Sequence, residues 1–463
     1  MPVMQCPNFI AELLSSSEVG TVCWWKRLAA VGTPVVAPST TPQQVEMAFF
    51  WRDPHGDEQH SPIKQVYVDI NGVTNHHSEA PQSLQRLSGT DIWFWSVVIS
   101  ATWRGGYSLI PITHEQLPPE FQGDEEQRSQ QQCQWWCSLF ACAISDPLNP
   151  YQPLITCVGG DHSVAHMPNA PEQSAWCAWD EGKGERERLP CMTLFHWRSE
   201  RLGNERRVWL YTNGERVQPG SRPLVIVLDG QRWVDELPLP MALEVETAQG
   251  NLPTAVWLFI DAIDGNYRAQ ELPCNADFWL ALQQELLPLA ASLATFSDDP
   301  DRTLIVGQSY GGLSALYAGL HWPQRFGRVL TQSGSFWWPN FQLMTRFDER
   351  EVLEPGWLVQ EVQQQGPAAK PLVIFQEAGD READICFVNQ QMNQALMAAG
   401  HQVFFRIYSG GHDALCWRGG LIDGLRWLLA DLADNSASTD NITISTDNKI
   451  TGDSDGSGTT KSV

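Results

Sequence analysis

Two hydrophobic rhythms divide the chain. Up to about residue 110, the segments VEMAFFWRD, IKQVYVDI and DIWFWSVVISATWRGGYSLIPI are rich in Val, Ile and aromatic residues and alternate in places. Turn clusters such as Asp53-Pro54-His55-Gly56-Asp57 separate them. That spacing predicts an N-terminal all-β, immunoglobulin-like sandwich. From about 113 to 200 a Gln-rich helical segment leads into a loop-rich stretch with the turn DPLNPY, and the Gln residues over 126–134 read as a solvated helix face. From about 205 short continuous apolar runs alternate with helical spacing. The runs are RRVWLYT, RPLVIVLDG, TAVWLFIDAID, TLIVGQSY, RVLTQSGSF, KPLVIFQEAG and QVFFRIYSGGH, and segments such as ADICFVNQQMNQALMAAG carry the helical pattern. Buried strands alternating with helices predict an α/β domain with a mostly parallel sheet covered on both faces. The resulting division is a sandwich over 1–150, a linker or insert over 151–204, the α/β domain over 205–432, and a disordered polar tail over 433–463.

Composition agrees and narrows the function. With 463 residues, 43% apolar and 18% charged, the chain has the length for two or three globular domains and is not a disordered polymer. No run of about 20 uncharged apolar residues occurs, and the N-terminus lacks a basic region followed by an apolar core, so membrane insertion is excluded and a cytoplasmic location is expected. Thirty Lys and Arg against 54 Asp and Glu give a net charge of −24, which speaks against nucleic acid or an anionic membrane surface as partner. The 11 cysteines are odd in number, scattered and without a Cys-x-x-Cys pair, and read as reduced thiols. Cys133, Cys137 and Cys142 sit in an amphipathic apolar segment and read as core residues, not metal ligands.

The chemistry concentrates in four places. Gly307-Gln308-Ser309-Tyr310-Gly311 follows an apolar run and opens a helical segment, the strand–turn–helix context of the Gly-x-Ser-x-Gly elbow. Small residues there permit a sharp turn that projects the Ser309 hydroxyl, with the Tyr310 N–H facing a developing oxyanion. The order Ser, acid, His then asks for a late histidine. His412, in Ser409-Gly410-Gly411-His412-Asp413 after the last apolar run, is the candidate general base, whereas His401 precedes that run, at the opposite end of the sheet, and reads as a surface residue. The acid should follow KPLVIFQ, where Glu377, Asp380 and Glu382 compete; Glu382, furthest into the loop, is preferred, and Asp413 reads as ordering its loop. A second oxyanion donor is expected after PLVIVLDGQRW, with Gly230 letting backbone approach a ligand and the N–H of Gln231 or Arg232 as donor.

These residues resemble the enterochelin (ferric enterobactin) esterases, in the esterase D-like branch of the α/β-hydrolases. The resemblance rests on GQSYGGLSALYAGLHWPQRFGRVLTQSGSFWWP, GGHDALCWRGGL, LDGQRW and YRAQELPCN. It reaches the N-terminal half through LQRLSGTDIWFWS and ISDPLNPY, so that it covers most of residues 45–430. It implies a triad of Ser309, His412 and an acid from the Glu377–Glu382 loop, with Glu382 preferred, since related loops reading Gly-Thr-x-Asp align Glu382 with the acid. It implies hydrolysis of the serine trilactone of catecholate siderophores to dihydroxybenzoylserine, with no cofactor, because the iron belongs to the substrate. The sandwich resembles the domain that precedes the hydrolase in cytoplasmic members. The stretch 159–187, with His162 and His166, is longer and more polar than a simple linker, and those two histidines make a weak metal pair. The alternatives are a general carboxylesterase of the same fold, acting for instance on feruloyl-type esters, or an inactive ligand-binding relative.

An iron tris-catecholate is anionic, so a protein of charge −24 must capture it locally. Arg232, Arg268, Arg381 and Arg418 lie beside the motifs, and at least two of them are expected to line the pocket. Among the 21 tryptophans, Trp337, Trp338 and Trp417 are the candidates for stacking on catechol rings.

Overall fold

The computed structural model describes residues 4–75, 78, 80–154, 162–180, 182, 190–214, 222–346 and 348–432. The expected tail over 433–463 lies outside the described residues, as do positions 159–161, 181 and 183–187 of the 159–187 insert.

Strands β1 (Val35–Pro38), β2 (Gln44–Arg52), β3 (Ile63–Ile70), β4 (Ser83–Arg86), β5 (Ile92–Ser100), β6 (Arg104–Thr113) and β7 (Ser163–His166) pair antiparallel in the order β1-β2-β5-β4-β3-β6-β7. Alternation explains the layering. Met47, Phe49 and Trp51 of β2 share one core with Val66, Val68 and Ile70 of β3, so the ladder folds over at β4 into two packed layers. The intervening Ala48 and Phe50 turn to the other face, beneath helices Phe9–Ser15 and Val22–Val31. A strand-rich reading of the first 110 residues does not contain these helices. Thr21 starts the second by accepting from the Trp24 N–H at 3.3 Å. The Gln-rich segment is helix Glu125–Leu139, which packs Trp136 and Leu139 on Tyr67 of β3.

The second sheet contains β8 (Thr193–Ser199), β9 (Asn204–Thr212), β10 (Leu224–Val227), β11 (Val256–Ile260), β12 (Thr303–Gln308), β13 (Arg328–Gln332), β14 (Val373–Gly379) and β15 (Gln402–Tyr408), in the order β15-β14-β13-β12-β10-β11-β9-β8. Strands β10 to β15 are mutually parallel, and β9 runs antiparallel to its neighbours β8 and β11. Both faces are buried, as the continuous apolar runs require: Leu224 and Ile226 of β10 enter one core, Val225 and Val227 the other. Within the stretch 151–204, read as linker, β7 completes the first sheet and β8 opens the second. Strand β7 has four residues and β8 is a mostly exposed edge, so neither gives a strong apolar run. Among the described residues no helix is long and apolar enough to cross a membrane.

Candidate active site

Parallel strands deliver their C-terminal ends to one edge of the sheet, and the four chemical motifs meet there. Between β12 and helix Tyr310–His321 stands Ser309, at φ 58 and ψ −122, a conformation costly for any residue but glycine. A Cβ on Gly307 would collide with the carbonyl oxygen of Gly311, so the turn closes only around glycine. The Ser309 hydroxyl lies 3.4 Å from that of Ser335.

Adjacent β14 and β15 bring acid and base together. Glu382 Oε2 is 2.6 Å from His412 Nδ1. Glu382 Oε1 accepts from the Gly379 N–H (2.6 Å), the Ser333 hydroxyl (2.5 Å) and the Tyr408 hydroxyl (2.9 Å). Trp417 Nε1 donates to the Ser333 oxygen at 2.9 Å, and its ring meets the imidazole edge-on with centroids 4.7 Å apart. A carboxylate held by this many donors stays an acceptor, which fixes the imidazole with Nδ1 donating and Nε2 free to accept a proton. Ser309 and His412 do not hydrogen-bond to each other here, a looseness usual before substrate arrives.

The other carboxylates of that loop are employed elsewhere. Glu377 is fully enclosed, where burial pushes its carboxyl up, and it accepts from Arg406 Nε (2.7 Å) and Gln332 Nε2 (2.6 Å). Asp380 accepts from the Gly410 N–H at 3.0 Å. Asp413 caps helix Ala414–Leu429 through the Leu415 N–H at 2.7 Å, consistent with a loop-ordering role. His401 is half-buried, with Nδ1 accepting from the Leu372 N–H at 3.0 Å.

At the end of β10, Asp229 (φ 53) makes a two-pronged ion pair with Arg268, at 2.7 and 2.8 Å, and the guanidinium also donates to the Gln308 carbonyl at 3.3 Å. This ties the turn to the elbow. The Arg232 N–H is committed to the Asp229 carbonyl at 2.9 Å, which leaves the Gln231 N–H as this turn's candidate donor beside that of Tyr310. The fold itself requires glycine at 230: a Cβ there would lie 2.5 Å from the backbone of Phe259 and Ile260 in β11.

Of the four arginines, Arg232 is half-exposed and lines a cavity of about 260 Å³ with Asn71, Gly106 and His412. Arg381 is exposed, with its N–H donating to the Gly410 carbonyl. Arg268 stays partly open, with its guanidinium 5.7 Å from the Tyr310 ring. Arg418 is a correction. Its side chain is 0% exposed, paired with both oxygens of Asp180 at 2.7 and 2.5 Å and with Gln173 at 2.7 Å, so it cannot meet substrate. Trp337 is half-buried between Tyr310 and the exposed Phe341, with centroids 5.7 and 5.6 Å away, which makes an aromatic ledge beside Ser309. Trp417 is buried and orients its neighbours instead. Among the described residues no group of three or more His, Cys, Asp or Glu could hold a metal ion.

Two family models match the chain: one described as enterochelin esterase, N-terminal, over residues 46–176, and one as putative esterase, over residues 199–428. The chain belongs to the enterochelin esterase family. An iron(III) enterobactin esterase of Dickeya dadantii (strain 3937) is 62% identical over 440 residues, covering 95% of this chain and 100% of that protein. That of Escherichia coli (strain K12) is 43% identical over 417 residues, covering 89% and 97%. A crystal structure of ferric enterobactin esterase from Salmonella typhimurium matches with a TM-score of 0.78 at 45% identity, covering 89% of this chain and 99% of that one. The Shigella flexneri enterobactin esterase crystallised in the presence of enterobactin gives 0.73 at 42% identity, covering 90% and 100%.

The enterochelin esterase site includes residues that motif reading passes over. Ser333 (φ 48) and Tyr408 both donate to Glu382, and Asn71 and Gly106 reach the histidine loop from the sandwich. A signal exists for Ser333 in the QSGSF block after β13. None exists for Asn71, which is 341 positions from its partner.

Proposed function

We propose that this enterochelin esterase hydrolyses the ester bonds of the enterobactin trilactone, iron-loaded or free, to dihydroxybenzoylserine units, and that Ser309, His412 and Glu382 carry the reaction. Ser309 Oγ attacks a lactone carbonyl carbon while His412 Nε2 takes its proton. The tetrahedral oxyanion is met by the Tyr310 and Gln231 N–H groups. Collapse breaks the ester bond, and His412 returns the proton to the departing serine hydroxyl. Water then attacks the acyl-enzyme by the same route and regenerates Ser309. Glu382 remains ionised and holds the imidazolium. On this reading no resident metal takes part, and iron arrives bound by the catecholates.

The observation that carries the proposal is the 2.6 Å bond between Glu382 and His412, set at the same strand ends as the strained Ser309 elbow. Arg232 and Arg381 supply local positive charge, and the Tyr310–Trp337–Phe341 ledge offers aromatic faces to catechol rings. A cytoplasmic place of action belongs to the same reading, supported by the free thiols of the ten described cysteines. The test is a substrate panel: kcat/KM for iron(III) enterobactin should exceed that for p-nitrophenyl and feruloyl esters by orders of magnitude. Equal or inverted values would return the chain to the general carboxylesterases.

A further inference from the structure

The loop that carries His412 is held from two sides, and only one belongs to the catalytic domain. On that side the Gly410 N–H donates to Asp380 Oδ1, the Gly410 carbonyl accepts from the Arg381 N–H, both at 3.0 Å, and Glu382 holds Nδ1. The other side rests on the N-terminal sandwich. Asn71 Nδ2, in the turn after β3, donates to the His412 carbonyl at 2.9 Å. The Gly106 N–H of β6 donates to Asp413 Oδ2 at 2.6 Å, while Asp413 Oδ1 caps the following helix. The backbones are in close contact as well. A Cβ on Gly72 (φ +71) would lie 2.6 Å from Arg381 Cβ and 3.0 Å from Gly411 Cα, and one on Gly411 would collide with the Asn71 side chain.

We propose that Asn71, with Gly72 and the Gly106 N–H, is a positioning device for catalysis: the sandwich fixes the backbone of His412 and Asp413 so that the imidazole presents Nε2 to Ser309. The inference rests on the reading of His412 as general base. One hydrogen bond fixes the carbonyl of His412 and another the side chain of the next residue, so together they restrain the peptide on which the imidazole depends. The imidazole is pinned at Nδ1, and a small shift of its backbone therefore becomes a swing of Nε2. A misplacement of about 1 Å at a reacting group costs on the order of 10²-fold in rate. The sandwich is then part of the catalytic apparatus through the contacts of Asn71 and Gly106 with the His412 loop.

The test separates positioning from substrate binding by following inactivation with a small fluorophosphonate, which reports Ser309 nucleophilicity and needs no siderophore contact. Asn71→Asp puts an acceptor against the His412 carbonyl. Asp413→Asn leaves one oxygen for two N–H donors yet remains a good helix cap. Each variant, in the full chain and on the alkaline plateau of the pH profile, should lower both the inactivation rate constant and kcat by about fivefold or more, leave KM within about twofold and keep its melting temperature. Asn71→Gln, which retains an amide N–H, should recover part of the loss. Unchanged inactivation and kcat in both variants would overturn the proposal. So would a rise in KM alone, which would make Asn71 a substrate contact, or a loss that merely follows a lowered melting temperature. If Asn71→Asp does not fold, Asp413→Asn decides alone. Failure of the triad reading is distinguishable, because it would appear as undiminished hydrolysis by Ser309→Ala.

Discussion

Glu382→Gln changes one carboxylate oxygen into an NH2 group with almost no change in volume, and the hydrogen bonds already present dictate how the amide must lie. Three donors converge on Oε1: the Gly379 N–H at 2.6 Å and the hydroxyls of Ser333 and Tyr408 at 2.5 and 2.9 Å. The hydroxyls can rotate, but the Gly379 N–H cannot. The amide oxygen therefore stays at that position and the NH2 faces His412 Nδ1, which becomes an acceptor. The imidazole is driven to the tautomer with its hydrogen on Nε2, which cannot take the Ser309 proton. The equivalent acid-to-amide change in a serine protease triad costs roughly 10⁴ in kcat through the wrong tautomer. With a buried acid of the same role, the expected loss here is about 10³ to 10⁴ in kcat, or about 4–5.5 kcal/mol of transition-state stabilisation, with KM little changed. The assay is steady-state release of dihydroxybenzoylserine followed by chromatography, with melting temperature as the control for folding. Asp380→Asn, which keeps an oxygen to accept from the Gly410 N–H and so preserves that support of the histidine loop, should stay within about threefold of wild type. A loss below about tenfold for Glu382→Gln, or a larger loss for Asp380→Asn, would refute the assignment.

Three further outcomes follow from the same geometry. Arg418→Met leaves Asp180 without its buried partner, so unfolding by denaturant should show a loss of about 3–5 kcal/mol while kcat of the folded enzyme is unchanged; lost activity at full stability would put Arg418 back in the pocket. Burial, with Arg418 and Arg104 adding to it, pushes the His166 imidazole well below its usual 6.5, so below that pH the unfolded chain binds a proton that the folded one refuses. Stability should therefore fall with acidification, by up to about 1.4 kcal/mol per pH unit, and His166→Gln should flatten the slope between about pH 6.5 and 5; an unchanged slope would contradict it. Arg232→Glu should raise KM for iron(III) enterobactin several-fold more than KM for a neutral ester, with added salt narrowing the difference; equal effects would remove Arg232 from substrate capture.

What could be read along the chain was what is local. The elbow is five residues in its own strand–turn–helix context, and the apolar runs of the second sheet are buried on both faces, so both were legible. The acid was not settled by its residues, because Glu377, Asp380 and Glu382 fall within one loop. What separates them is the pairing of β14 with β15 and the donors Ser333 and Tyr408, 49 and 26 positions from Glu382. Arg418 misled because nearness in sequence to His412 does not say which face of helix Ala414–Leu429 meets Asp180 and Gln173. Strands β7 and β8 were invisible as strands because one is short and the other exposed, and each is recognisable only by the sheet it joins. The support of the histidine loop by Asn71 and Gly106 is tertiary throughout, across 341 and 307 positions.

The central claim is that Ser309 attacks the trilactone. Chromatography of the products from iron(III) enterobactin and free enterobactin, incubated with wild type and with Ser309→Ala, tests it most directly. The account predicts dihydroxybenzoylserine and its linear oligomers from wild type, and intact trilactone from a folded Ser309→Ala. Products from Ser309→Ala at the wild-type rate would contradict it.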